Sequence, residues 1–222
     1  MNSNNYFLKK TAAVVLLAFP AIMMLAFIMH FNSFHSFLNF RFSRDIYDAG
    51  KLFDLLVSSG GHGFIMAHFV AILAVPLFFM AIMILGSLLY PDKPLIAIMG
   101  VIIGTIGCTA MAAVFGAWLS FTGIATVDKS AYAGARIAFI ELVRMKGPLK
   151  IFTSLSNLCF ISIIILTTGL IWTKKFDLWR MLCIILGAIL FIIFMDMDNW
   201  MFVGSLLLLL GFMPISRKLR NV

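Results

Sequence analysis

The stretch "GVIIGTIGCTAMAAVFGAWLS", residues 100–120, has no charged side chain and a small residue at every fourth position. A helix of this length extends about 31 Å, which matches the hydrocarbon core of a bilayer. The small residues are Gly100, Gly104, Cys108, Ala112, Gly116 and Ser120. Helices in lipid associate through close backbone approach, which small residues permit. The stretch therefore predicts a membrane helix with a packing groove along one face.

Another helix of the same bundle is the expected occupant of this groove. A strict four-residue repeat exceeds the 3.6 residues of a helical turn and drifts around the helix, which favours a right-handed crossing. A second copy of the chain is the alternative occupant.

The rest of the chain has the same character. Of its 222 residues, 63% are hydrophobic and 12% are charged, whereas soluble proteins have about 25% charged residues. The apolar runs are continuous, which indicates helices rather than the alternating strands of a barrel. We predict an all-α polytopic membrane protein in which residues 1–222 form a single transmembrane domain. Its six predicted spans cover residues 11–31, 63–90, 95–125, 151–173, 179–196 and 200–215.

The amino terminus starts like a signal peptide, with the basic sequence "MNSNNYFLKK" before an apolar run. That run has about 20 residues, more than the 7–15 of a signal peptide, and no A-x-A-like cleavage site follows it. We therefore expect it to be the first span. Pro20 and Pro76 lie inside the first two spans, where each removes a helix hydrogen bond and is expected to kink its helix.

The net charge of +8 is explained by topology rather than by nucleic acid binding, because the basic residues flank the apolar blocks. With the amino terminus inside, nine basic and two acidic residues face the cytoplasm, and eight basic and seven acidic residues face outward. The inner charges also lie on shorter segments next to span ends. We therefore predict that both termini are cytoplasmic, in the inner membrane of a bacterium.

Four histidines bracket the first outer loop and are weak candidates for metal or haem ligands: His30, His35, His62 and His68. Imidazole suits zinc, copper and iron. However, the last two are six residues apart, about 240° around a helix, and neither pair has the i, i+4 spacing of a helical metal site. Interfacial histidines without a ligand role are the preferred interpretation, and no cofactor is predicted.

The turn "FMDMDNW" between the last two spans places Asp196 and Asp198 close to the hydrocarbon edge. Ionisable groups there are costly and count as functional hypotheses. A cation site, a proton relay, or a pair with Arg136 or Arg144 are all compatible with the sequence. The favoured interpretation is a polar turn whose side chains cap helix ends beside an interfacial tryptophan.

The loop "DKSAYAGARIAFIELVRMKGPLK", residues 128–150, is expected to contain a short helix. Asp128 or Ser130 would start it and the Gly-Pro pair near its end would stop it. An interfacial helix and a simple capping loop both remain open. The loop also contains Glu141, the one glutamate of the chain. The candidate polar site thus comprises Asp196, Asp198, His62, His68 and Glu141.

Polar residues inside the spans are few. Asn157 is the best candidate for a buried hydrogen bond to a neighbouring helix. The cysteines Cys108, Cys159 and Cys183 all lie in apolar blocks and are interpreted as small packing residues.

The order of three segments resembles a family of uncharacterised bacterial six-helix membrane proteins, which contain a domain of unknown function. The segments are "DIYDAGKLFDLL" at 45–56, "LLYPDKPLIAIMG" at 88–100 and "TTGLIWTKKFDLWRMLCIILGAILF" at 167–191. The resemblance covers most of the chain. It implies a six-helix fold and assigns no activity or site residues.

No nucleotide-binding or hydrolase motif occurs, and the spans lack the central ionisable group of a proton-coupled carrier. We expect a non-enzymatic membrane component that packs against lipid, a membrane protein partner or a second copy. One alternative is a metal- or haem-dependent enzyme that uses the histidines with Asp196 and Asp198. The other is a carrier or channel for a small neutral or lipid-like molecule.

Overall fold

A computed structural model describes residues 3–29, 37–38, 40, 49–58, 62–143, 149–194 and 198–220. The helices are α1 (Ser3–Ile28), α2 (Ala49–Ser58), α3 (His62–Leu89), α4 (Pro94–Val127), α5 (Tyr132–Val143), α6 (Leu149–Ser156), α7 (Leu158–Trp172), α8 (Leu178–Ile193) and α9 (Asp198–Arg220), with a 3₁₀ turn at Lys129–Ala131. No strand occurs among these residues, so the all-helical prediction is confirmed.

Five helical segments are long and apolar enough to cross a membrane: Phe7–Ile28, Ile65–Leu89, Pro94–Val127, Lys150–Trp172 and Asn199–Arg220. They are typical of an integral membrane protein. α8 is apolar but has 16 residues, about 24 Å of helix, which is less than a core of about 30 Å. A sixth crossing by α8 therefore remains a prediction.

α4 is the longest helix, with 34 residues and a length of about 51 Å. It starts at a proline in the first helical turn, where the missing amide hydrogen costs no hydrogen bond. Its length exceeds both the hydrocarbon core and the 40–45 Å that include the headgroups. Its carboxyl-terminal part therefore extends far enough to support α2 and α5, which pack beside it.

The bundle is held together by packing between successive and distant helices. α1 packs on α3 and α9, α4 packs on α3 and α7, and α8 packs on α7 and α9. Phenylalanine rings fill the centre: Phe19 stacks on Phe78 at 4.2 Å, and Phe160 stacks on Phe191 at 4.4 Å between centroids. Such pairs contribute about 0.5–1.5 kcal/mol each beyond the area that they bury.

Asn157 separates α6 from α7 within the predicted fourth span. Its backbone carbonyl accepts hydrogen bonds from the amides of Phe160 and Ile161 at 3.1 Å. Among the described residues, no donor reaches its buried side-chain oxygen Oδ1. The side chain thus supplies no interhelical bond through that oxygen, and the residue marks a break in the helix.

Basic residues gather at one end of the bundle. Lys175, in the turn before α8, pairs with Asp92, in the turn before α4. Lys218 donates a hydrogen bond to the carbonyl of Lys175 at 3.4 Å and lies over the ring of Phe176. These contacts bring the α3–α4 turn, the α7–α8 turn and the end of α9 together.

Candidate functional site

The first part of the small-residue stripe contacts α7. A Cβ atom on Gly100 would lie 2.5 Å from Leu166 Cδ2, and one on Gly104 would lie 2.6 Å from Ser162 Oγ. The Ser162 hydroxyl also donates a 2.7 Å hydrogen bond to the Gly100 carbonyl. A helix of the same chain therefore fills this part of the groove.

The second part of the stripe faces away from these contacts. Cys108 is buried, but Ala112 and Ser120 are exposed, and a Cβ on Gly116 would have no atom within 4 Å. The closest backbone contact of α4 involves Gly107, which the four-residue repeat omits. A Cβ there would collide with the backbone nitrogen of Cys159 and would lie 2.7 Å from the Leu158 carbonyl carbon.

The geometry of the α-helix explains this difference. The buried face follows alternating steps of four and three residues, which keep to one side of a helix with 3.6 residues per turn. Its members are Gly100, Gly104, Gly107, Met111 and Val114. The four-residue repeat coincides with this buried face from Gly100 to Cys108 and diverges from it after Cys108. Other helices of the bundle therefore fill the first half of the predicted groove.

His68 is the predicted site residue with the most contacts described. It is buried, with 8% of its surface exposed. Its ring stacks on Trp118 at 5.4 Å and meets the edge of Phe115 at 5.9 Å, between ring centroids. His30 and His35 lie outside the described residues, as does the side chain of His62. Among the described residues, no three His, Cys, Asp or Glu side chains form a group that could hold a metal ion.

A cavity of about 60 Å³ lies beside His68. Two further polar side chains line it, Thr153 and Ser156 of α6, and the remaining lining is methionine, aliphatic and aromatic. The Ser156 hydroxyl donates to the Thr153 carbonyl at 2.7 Å, and the Cys159 thiol donates to the Ser156 carbonyl at 2.8 Å. The wall of this cavity therefore combines two hydroxyl groups and one imidazole with apolar side chains.

The other members of the candidate polar site do not join His68 in the described part of the chain. Asp196 lies outside the described residues, and so does the side chain of Asp198. Glu141 is half-buried on α5. Next to the aspartates, Trp200 stacks on Phe194 at 4.7 Å between centroids. An aromatic pair therefore flanks this turn, and a functional role for its carboxylates remains a prediction.

A polar cluster that sequence reasoning missed joins α2 to α5. Arg136 donates to both carboxylate oxygens of Asp54, from Nε at 2.8 Å and from Nη2 at 3.2 Å. The hydroxyl of Tyr132 donates to the same carboxylate. The two ends of the ion pair are 82 residues apart, so no local pattern could have found it. The sequence had suggested the aspartates after α8 as partners of Arg136.

Hydrogen bonding shifts the pKa of both acidic groups in this cluster. The guanidinium of Arg136 and then the hydroxyl of Tyr132 lower the pKa of Asp54, because both stabilise the carboxylate. The hydrogen bond to Asp54 raises the pKa of Tyr132, because it stabilises the protonated phenol. The cluster is partly exposed and links α2 to α5.

The start of the predicted short helix agrees with the sequence. The Asp128 carboxylate accepts hydrogen bonds from the Ser130 amide at 2.8 Å and hydroxyl at 2.7 Å, which caps the 3₁₀ turn. These bonds, the hydroxyl bond first, lower the pKa of Asp128.

An open cleft of about 480 Å³ lies between α2 and the carboxyl-terminal end of α4. Its polar lining consists of Lys129 and the hydroxyls of Ser58, Thr126 and Tyr132, and its apolar lining of Val57 and Ala125. The cleft therefore combines one cation and several hydroxyls with an apolar wall. No local sequence pattern indicated this cleft, because Val57 and Ser58 lie on α2 and the other lining residues lie much later in the chain, from the end of α4 to the start of α5.

Comparison of the chain with protein-family models, with curated proteins and with solved structures finds no match. The resemblance to a bacterial six-helix family thus stays a prediction.

Proposed function

We propose that this chain is a non-enzymatic component of the bacterial inner membrane that holds an anionic phospholipid at its outer face. In this proposal the chain crosses the membrane six times and both termini are cytoplasmic. The observation that carries the lipid assignment is the open cleft at the end of α4.

The chemistry of the cleft suits a lipid headgroup. The Lys129 ammonium is a compact cation for a phosphate. The hydroxyls of Thr126 and Tyr132 donate to the Gly123 carbonyl and to the Asp54 carboxylate, so towards a headgroup their oxygens can accept hydrogen bonds from its glycerol hydroxyls. Val57 and Ala125 offer an apolar wall to the start of an acyl chain. The end of a 51 Å helix whose other end lies at the opposite membrane face is at headgroup level or beyond.

The contacts at the basic end support six crossings. The α3–α4 turn, the α7–α8 turn and the end of α9 meet there through Lys175, Asp92 and Lys218. In this proposal α7 ends at the membrane face where the α3–α4 turn lies. Because α9 also ends at that face, α8 must cross to the opposite face and α9 must cross back. The concentration of lysines next to span ends favours the cytoplasm for this end.

Lipid retention tests the headgroup assignment. The purified protein is mixed with phosphatidylglycerol or phosphatidylcholine, and bound lipid is counted by native mass spectrometry. We expect Lys129→Gln to lose most of the bound phosphatidylglycerol, whereas Lys150→Gln, an equal charge change on another exposed lysine, keeps it. Equal retention by both variants would refute the lipid site, and dimers that survive in both would indicate a second copy as partner.

Labelling by a membrane-impermeant maleimide tests the topology separately. Single cysteines replace Lys93, Lys129 and Lys218, and the unsubstituted chain with its cysteines in apolar helices is the control. We expect labelling of the second variant in intact bacterial cells, and of the other two only after permeabilisation. If α8 did not cross, the first and third positions would lie on opposite sides.

A further inference from the structure

The cavity beside His68 has a chemical character that the lipid cleft lacks. Described side chains from eight helices line it, and seven of them carry a sulfur, nitrogen or oxygen atom: Met23, His68, Met111, Trp118, Thr153, Ser156 and Met201. The three methionines come from α1, α4 and α9, which are far apart in the sequence. The first two are buried, with 2% and 7% of their surface exposed.

The size of the cavity restricts what it can hold. Its volume of about 60 Å³ equals that of a sphere about 5 Å across. A cavity of about 150 Å³ is needed for a molecule such as benzene, while one water occupies about 30 Å³ of the liquid. The space is therefore of a size that suits a single metal ion or one or two waters.

The atoms that line the cavity and could bind a metal ion indicate which ion suits it. Calcium and magnesium require several oxygen ligands that include carboxylates, and zinc sites use thiolate, imidazole or carboxylate. Within the described part of the chain, no carboxylate or thiol lines this cavity. Thioether sulfur with imidazole is the ligand set that selects Cu(I), whose single charge also reduces the cost of burial. We propose that this cavity binds one Cu(I) ion through His68 and the thioethers of Met23, Met111 and Met201.

The surroundings of His68 suit such a site. Its ring is held by stacking on Trp118 and by the edge contact with Phe115. Only one ring nitrogen has to bind the ion, and the other can donate a hydrogen bond that fixes the ring, as in most metal sites. Aromatic rings also attract a cation through their faces. The site would tie α1, α3, α4 and α9 together and is independent of the proposed lipid cleft.

The sequence pointed away from this site, since histidine spacing alone predicted no cofactor. Methionine is abundant in the chain, and its flexible side chain fills gaps in ordinary cores. Waters that bridge His68, Thr153 and Ser156 are the competing occupant, because polar cavities of this size hold water. Copper affinity distinguishes the two.

Anaerobic titration of the purified full chain with Cu(I), in competition with a chromophoric Cu(I) chelator, is the test. We expect one ion per chain and a loss of affinity of about tenfold or more in each of M23L, M111L, M201L and H68Q. Leucine is close to methionine in volume, so these changes leave the packing nearly intact. M80L and M83L, at methionines that are 40% and 41% exposed, are the controls and should bind as the unsubstituted chain does.

X-ray absorption of the copper-loaded protein gives a second readout, with sulfur and one nitrogen as expected neighbours of the ion. Size-exclusion chromatography and circular dichroism establish that each variant is folded. A folded unsubstituted chain that fails to compete with the chelator would overturn the proposal and leave water as the occupant. Copper that binds equally well to the four cavity variants would also overturn it, because the ion would then lie elsewhere.

Discussion

Replacing Gly107 by alanine should destabilise the bundle, although the same change at Gly116 should not. The added Cβ at position 107 would lie 2.7 Å from the Leu158 carbonyl carbon and 2.8 Å from Cys159 Cα, both backbone atoms. The backbone nitrogen of Cys159 would be nearer still, and ordinary contact begins at 3.4 Å, so α4 and α7 would have to separate by clearly more than about 0.7 Å. At Gly116 the added atom meets nothing within 4 Å.

The expected difference follows from two terms. Alanine in place of glycine stabilises a helix by up to about 1 kcal/mol, and this gain is common to both variants. Overpacking against a rigid backbone costs about 1–3 kcal/mol, and only the Gly107 variant has this cost. G107A should therefore be less stable than G116A by about 1–3 kcal/mol. For a chain of this length, that is roughly 2–12 °C in Tm.

A thiol-reactive fluorogenic dye suits the measurement, since the thiols of Cys108 and Cys159 are 4% and 0% exposed. Heating the purified protein in detergent exposes them, and the midpoint of the fluorescence rise gives Tm. Equal midpoints for the two variants would show that α4 and α7 do not approach closely at Gly107, which would refute the argument.

Three further predictions concern individual polar groups. The phenol of Tyr132 should ionise at a higher pH than an ordinary tyrosine, because its neutral form donates to Asp54. Any stability that this bond contributes is present below the pKa of Tyr132 in the unfolded chain. It is lost as the pH rises through the pKa of Tyr132 in the folded chain. Ultraviolet titration checks this, with Asp54→Asn expected to lower the pKa and an unchanged titration counting against the bond. Ser162→Ala removes an interhelical hydrogen bond and should cost about 0.6–1.5 kcal/mol in thermal unfolding, more than Ser205→Ala, whose hydroxyl bonds within its own helix. Asp92→Asn removes a surface ion pair and should cost less than about 1 kcal/mol, with an effect that shrinks in high salt; a larger or salt-independent loss would contradict the surface assignment.

The helical class and most spans could be predicted because lipid leaves the backbone few choices. The predicted span at 95–125 agrees with α4 at Pro94–Val127, since the uncharged run and its flanking residues mark both ends.

The candidate site was less predictable, because its residues come from different parts of the chain. The ion pair of Asp54 with Arg136 depends on two helices, α2 and α5, that are far apart in the sequence and meet only after folding. The cavity methionines come from three helices, and each one alone is indistinguishable from a core residue. The four-residue repeat identified Gly100 and Gly104 correctly as contact positions and then diverged from the buried face.

The unusual length of α4 couples the protein to bilayer thickness. α2 and α5 both pack on α4, and α4 is one continuous helix from Pro94 to Val127. The distance of α2 and α5 from the far end of α4 is therefore fixed by a single rigid helix. A thicker bilayer would bring headgroups up by one or more helical turns, towards the Asp54–Arg136 ion pair, and a thinner one would leave these helices in water. Tilting of α4 would offset part of this mismatch, and would turn differences in membrane thickness into movement of α2 and α5.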